Sequence, residues 1–347
     1  MGQLRDDAGT PASPIPAGAE GGGKLARRLM LALKLGATLL ALVLVARLVD
    51  PAVLLQRVRA ADPLVFAAAL VLIVVQIPLV ALRWRRIVAA MSREGGAVPA
   101  WSKFFQIAYI AQFMGQVLPF VAGDGMRVLM LHEAGPSLRV AFKSALLDRG
   151  LATLALFVLA LPALMFSPIL ANAKAYLWPI VALTAGGLAG AALLIGLADI
   201  LHQVGRRWRY AGAITETLVD LRRLVLSPGH GPAIIGLCLL VHGLSVAVFW
   251  LLAQGQGFAF AAADALAIGP LILLVTVMPF AVGGWGVREG FVVALLGAGG
   301  VSPEDALLLS LSFGTCVLVA ALPGLAILAA TTWAPRARGE AGQRRPA

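Results

Sequence analysis

The chain has 347 residues, 60% of them apolar and only 13% charged, with a mean hydropathy of +0.90. Average globular chains are about 45–50% apolar and about 25% charged, so no soluble fold of this length hides so much apolar surface; a cytosolic enzyme, a disulfide-built secreted module and a disordered chain are excluded. The 28 Lys and Arg against 17 Asp and Glu, a net charge of +11, lie between apolar runs, and so read as topology determinants and contacts to anionic phospholipid headgroups, with no nucleic-acid partner.

Residues 1–28, rich in Gly, Pro and Ala, predict a disordered cytoplasmic tail. The apolar run Leu29–Val49 is too long and too far in for a cleaved signal peptide and reads as a first membrane helix. Crossing about 30 Å of hydrocarbon takes roughly 20 helical residues. Runs of that size recur at 64–82, 144–166, 176–199, 232–252 and 305–332, which gives six full transmembrane helices. The membrane domain is thus expected over 29–333, with a basic cytoplasmic tail at 334–347.

Two further apolar stretches, Phe104–Ala122 and Asp264–Val282, are each interrupted by a Pro followed by a Gly cluster, which breaks a helix at membrane depth. Charge decides whether they cross. If both are re-entrant, nearly all the positive charge falls on one face, including the loop with Arg83, Arg85 and Arg86 and the loop with Arg206, Arg207 and Arg209. Only Arg57, Arg59 and Lys174 are then left on the other. A crossing at 104–122 would put the five arginines of 200–231 outside, against the positive-inside rule. The expected fold is therefore all-α and integral to the inner membrane, both termini cytoplasmic. It has six spans and two re-entrant broken-helix hairpins, the first entering from the cytoplasm and the second from outside.

The two breaks also resemble each other. Pro119-Phe-Val-Ala-Gly123-Asp124-Gly125-Met-Arg127 aligns with Pro279-Phe-Ala-Val-Gly283-Gly284-Trp-Gly286-Val-Arg288, with one extra residue in the second copy. Paired Gly/Pro interruptions in opposite orientation are the mark of inverted-repeat transporters and point to the substrate site. A helix that stops inside the membrane leaves backbone N–H groups and a partial positive charge suited to phosphate. Glycines 123, 125, 283, 284 and 286 let backbone approach a ligand, and Arg127 and Arg288 can grip a phosphate in two-pronged fashion. Arg127 is also close to a basic segment and reads equally as a topology charge. Arg288, beside Glu289 between apolar runs, is an intramembrane ionisable group and functional by default, with a purely structural ion pair of the two as the alternative. Asp124 either pairs with Arg127 or serves a proton-coupled step. Asp148 and Arg149 open the predicted span at 144, as an interfacial pair or as partners of the break. Gln112 and Gln116, four apart, either line a polar cavity or bond to a neighbouring helix. His132, His202, His230 and His242 keep no ligand spacing, and Cys238 and Cys316 lie far apart, so no metal, cofactor or disulfide is expected; His242, inside the predicted span at 232, reads as a proton carrier or as a histidine satisfied by a neighbour.

The runs Leu118–Arg127, Leu147-Asp148-Arg149 and Met278-Pro-Phe-Ala-Val-Gly-Gly-Trp-Gly-Val-Arg-Glu289, with Arg83-Trp84 after the second span, resemble the lysylphosphatidylglycerol synthase transmembrane-region family, also called flippase-like domain proteins, over residues 28–333. The resemblance implies a stand-alone member that moves a modified or anionic lipid between leaflets, without the aminoacyl-transferase domain and hence no enzyme. Other stand-alone relatives are linked to polyprenyl-phosphate sugars or hopanoids, so the lipid stays open. The alternatives are a lipid-modifying transferase using Asp124, Asp148 or Glu289 as acid or base, and a non-catalytic partner of a lipid-synthesis enzyme. The oligomeric state is open.

Overall fold

The computed structural model describes residues 43, 47, 49–92, 98–118, 121–276 and 284–331. Among these every regular element is helical. The predicted tails and most of the span Leu29–Val49 lie outside the described residues.

Local sequence sets the helix starts. Asp50 accepts from the Ala52 N–H at 2.8 Å and caps α1, Pro51–Ala60, in a stretch expected to be a loop. Asp62 caps α2, Pro63–Met91, through the Leu64 N–H at 2.8 Å. Both helices place Pro in the first turn, where its missing N–H costs nothing. The first broken stretch gives α3, Trp101–Val117, and α4, Val121–Glu133. Next come α5, Leu138–Ala163, a 3₁₀ turn at Leu164–Phe166, and the short α6, Pro168–Asn172. The chain continues with α7, Lys174–Gly196, then α8, Ala198–Gly205, and α9, Arg209–Leu226, which fold within the predicted 200–231 loop. After α10, Gly231–Gly255, the second broken stretch gives α11, Ala262–Thr276, and α12, Val287–Ala298. Last is α13, Pro303–Ala321, whose helical course resumes beyond Leu322 as far as Thr331.

Five helical segments are long and apolar enough to span a bilayer: Pro63–Met91, Leu138–Phe166, Lys174–Gly196, Gly231–Gly255 and Pro303–Thr331. This is a multi-pass membrane protein. By contrast α3, α4, α11 and α12 have 17, 13, 15 and 12 residues. At about 1.5 Å per residue each is at most about 26 Å long, short of a bilayer core.

The two helix pairs approach α5 from opposite ends. α4 ends at Glu133, one short turn before α5 begins at Leu138. α11 begins where α5 has finished: Asp264 Oδ1 accepts from the Ser167 hydroxyl at 2.5 Å and from the Ile169 N–H at 3.1 Å. Asp264 Oδ2 accepts from the Ala261 N–H at 3.0 Å, so this buried carboxylate is fully used as a clamp on the second pair.

Packing draws the pairs inward. Gly123 of α4 lies so close to α3 that a Cβ would sit 2.8 Å from the Ala111 carbonyl oxygen. The two backbones touch there, and only glycine allows it. On the other side Phe249 of α10 stacks on Phe313 of α13 with ring centroids 4.2 Å apart, at the centre of the largest apolar cluster.

Candidate functional site

The predicted boundaries of two spans are displaced, and the displacement builds the site. α5 starts at Leu138, not near 144, because the Ser137 hydroxyl caps it by accepting from the Val140 N–H at 3.3 Å. Asp148 and Arg149 therefore stand about 15 Å along the helix from Leu138, and the interfacial reading of this pair is replaced by the buried one. Likewise α2 runs on to Met91, so Arg83 is not a loop charge. It lies about 12 Å from the Met91 end and is 4% exposed.

These residues and the first hairpin form an unbroken chain of ion pairs. Arg83 Nε donates to Asp148 Oδ1 at 2.7 Å, and Arg127 Nη2 donates to Asp148 Oδ2 at 2.9 Å. Arg127 Nη1 reaches Asp124 Oδ1 at 3.5 Å. Arg149 grips the same carboxylate side-on, Nε to Oδ2 and Nη2 to Oδ1, both at 2.9 Å. Asp124 thus pairs with two arginines, and Arg127, 6% exposed, is a buried member of the network. Its guanidinium also lies 4.3 Å above the Trp84 ring, whose indole N–H donates to the Ser144 hydroxyl at 3.1 Å. Three guanidiniums face two carboxylates, so the chain carries one positive charge in excess. Arg83 Nη1 is buried with no hydrogen-bond partner; its neighbour is the Cys238 thiol, a weak acceptor.

The second hairpin contributes one more pair. Arg288 Nε donates to Glu289 Oε1 at 3.0 Å and to the Ser310 hydroxyl at 3.0 Å, and Nη2 to Glu289 Oε1 at 2.5 Å. The guanidinium is 4.8 Å from the Trp285 ring centroid. Gly314 of α13 leaves the space it occupies, since a Cβ there would overlap Arg288. Glu289 Oε2 accepts from the Gly286 N–H at 2.6 Å and caps α12. The carboxylate of this chain therefore holds the donor that was expected to be open to a phosphate. Gly284 and Gly286 have φ of +80° and +83°, a turn that L side chains avoid.

Helices of both broken stretches line one cavity of about 260 Å³. Gly123, Asp124 and Arg127 line it from α4, Gln112 and Gln116 from α3, and Asp148 and Arg149 from α5. From the second half come Thr276 of α11, Arg288 of α12 and Phe313 of α13. Gly125, Gly284, Gly286 and Glu289 lie off this wall. Pro119, Pro279 and Gly283 lie outside the described residues. The buried Gln116 Oε1 and His242 Nε2 have no hydrogen-bond partner, so the cavity offers polar groups to an occupant. Arg83, His242 and Gly314 were missed as site residues. Arg83 was visible only as part of the Arg-Trp pair, His242 as a proton carrier or a histidine satisfied by a neighbour but not as part of this cavity, and Gly314 had no local signal. Among the described residues no group of three His, Cys, Asp or Glu is placed to hold a metal.

A family model described as "Lysylphosphatidylglycerol synthase TM region" matches residues 30–324. A search of curated proteins finds no match. The chain belongs to that family, whose name ties it to membrane lipid.

Proposed function

We propose that this member of the lysylphosphatidylglycerol synthase transmembrane-region family is a lipid translocase of the inner membrane and carries out no covalent step. It has six spans over residues 29–333, both termini in the cytoplasm, and two re-entrant hairpins of opposite orientation. The observation that carries the reading is the single cavity lined by helices of both broken stretches, walled by an ion-pair chain with one positive charge to spare. An anionic headgroup placed there gains the excess charge and the unpartnered Arg83 Nη1 donor, which offsets the hydration it gives up at several kcal/mol per unsatisfied polar group. The acyl chains stay in lipid. Asp124, Asp148 and Glu289, the carboxylates available for acid-base work, are each held by arginines. This supports movement of a lipid over its chemical alteration. The anion is bound by side chains already neutralised in pairs, so the headgroup can leave as readily as it enters.

The test is transbilayer exchange of a fluorescent anionic phospholipid in liposomes. Arg288→Ala alone strands Glu289, which has no exposure, so the informative variant is Arg288→Met with Glu289→Gln. Losing one charge-assisted hydrogen bond to phosphate costs about 1.5–3 kcal/mol, so exchange should fall at least tenfold in a double variant that still purifies as a monodisperse protein. Wild-type protein that exchanges no anionic lipid faster than empty vesicles, or a double variant as fast as wild type, overturns the proposal.

A further inference from the structure

A second cavity lies on the molecule's surface and shares no lining residue with the first. It is an open cleft of about 900 Å³ where the end of α2 and the start of α5 meet α8 and α9. Its charges are not balanced. The wall carries two acids, Glu216 and Asp220, and both are already engaged: Arg139 and Lys143 hold Glu216, and Lys143 Nζ reaches Asp220 Oδ2 at 2.7 Å. No acid of the wall is left for Arg206 and Arg223, which are exposed, and His202 and His230 stand beside them.

The cleft is also amphiphilic. Beneath the basic rim lie Met91, Val140, Val219 and Leu224, of which the last two are buried. The two helices that form one side expose large apolar residues: Ile200, Val204 and Trp208 before and within the turn, and Ile214 and Leu226 on α9, each at least 59% exposed. A helix pair with a basic edge and bare apolar side chains lies in a bilayer interface. There its cleft stands at the depth of phosphates.

We infer that this cleft is a second, peripheral site for the phosphate-bearing headgroup of an anionic lipid, held by Arg206 and Arg223. Phosphate is the chemistry that two unpaired guanidiniums on a rim recognise. The apolar floor favours a lipid over a free anion, because it accommodates the glycerol and upper acyl carbons.

Full-length protein in phosphatidylcholine nanodiscs doped with phosphatidylglycerol, read by native mass spectrometry, provides the test. Arg206→Gln with Arg223→Gln should lower the affinity for the retained phosphatidylglycerol about thirty-fold, on the scale usual for two surface cations beside anionic lipid. Both side chains are exposed, so folding is not at stake. In a background carrying Arg288→Met with Glu289→Gln, which affects the central cavity, the Arg206 and Arg223 substitutions should cause the same loss of phosphatidylglycerol, which separates the peripheral site from the translocation reading. Titration with inorganic phosphate distinguishes the sources. Retention of phosphatidylglycerol in up to millimolar phosphate supports the lipid headgroup. Displacement of the lipid by micromolar phosphate overturns it in favour of a free anion. Equal phosphatidylglycerol retention by wild type and the arginine variant overturns the site altogether.

Discussion

Asp148→Asn is the sharpest test of the ion-pair chain. The carboxylate is 1% exposed and lies 2.7 Å from Arg83 and 2.9 Å from Arg127. Taking one partner out of a buried pair costs about 3–5 kcal/mol, because the other charge is left without compensation. The two arginines do not suffer equally. Arg127 keeps Asp124 at 3.5 Å and the Trp84 ring, whereas Arg83 has no other carboxylate among its bonded partners. Most of the loss therefore falls on Arg83, and Arg83→Gln placed in the same chain should recover about 2–3 kcal/mol of it, a coupling in the range seen for contacting charges. Function should follow charge instead of stability. Asp148→Asn raises the excess from one to two, Arg83→Gln lowers it to none, and the double variant restores one. Unfolding followed by tryptophan fluorescence in mild detergent gives the first quantity, and anionic-lipid exchange in liposomes the second. Arg83→Gln alone should exchange slowly, and the double variant should regain exchange. A single Asp148→Asn variant within 1 kcal/mol of wild type, or two substitutions that simply add, would refute the reasoning.

Two glycines of α4 should respond in opposite ways. Gly123→Ala drives a Cβ to 2.8 Å from the Ala111 carbonyl and should cost about 1–3 kcal/mol, whereas Gly125→Ala meets nothing within 4 Å and should stabilise by about 0.5–1 kcal/mol through helix propensity; melting curves of the two variants decide it. On the surface, the hydrogen bond from Lys143 holds the Glu216 carboxyl below the usual glutamate range despite the opposing effect of burial. A lowered folded-state pKa contributes stability above the unfolded-state value, and that contribution is lost as pH falls through the folded-state value. Glu216→Gln should therefore flatten the acid limb of the stability profile and leave the alkaline limb unchanged, as measured by melts across pH 3–8.

How much was legible in the sequence depended on the range over which each feature is specified. Apolar runs and Pro/Gly breaks are local, so the helical membrane class and the two broken stretches could be read directly, whereas Arg127, Gln112 and Gln116 each kept a second reading that only the fold could decide. Helix ends were missed where a charge belongs to a long-range pair. Arg83 falls at the end of an apolar run by composition and so reads as a loop charge, while Asp148, at the head of one, reads equally as an interfacial group and as a partner of the break. They are partners 65 positions apart, and only the fold neutralises them. The same holds for Glu289. Next to Arg288 it read as part of a ligand site, but its second oxygen is committed to the Gly286 N–H, a capping role that follows only once α12 is known to start at Val287.

The clamp at Asp264 gives α5 an unusual place in the architecture. The same helix holds the first hairpin near its middle through Asp148 and Arg149, and the Ser167–Ile169 turn beyond its end holds the second through Asp264. α5 and the turn that follows it are thus tied to both broken stretches, at different points along their length. A shift of either helix pair against this length of chain would break a buried hydrogen bond, so the two pairs share one common anchor.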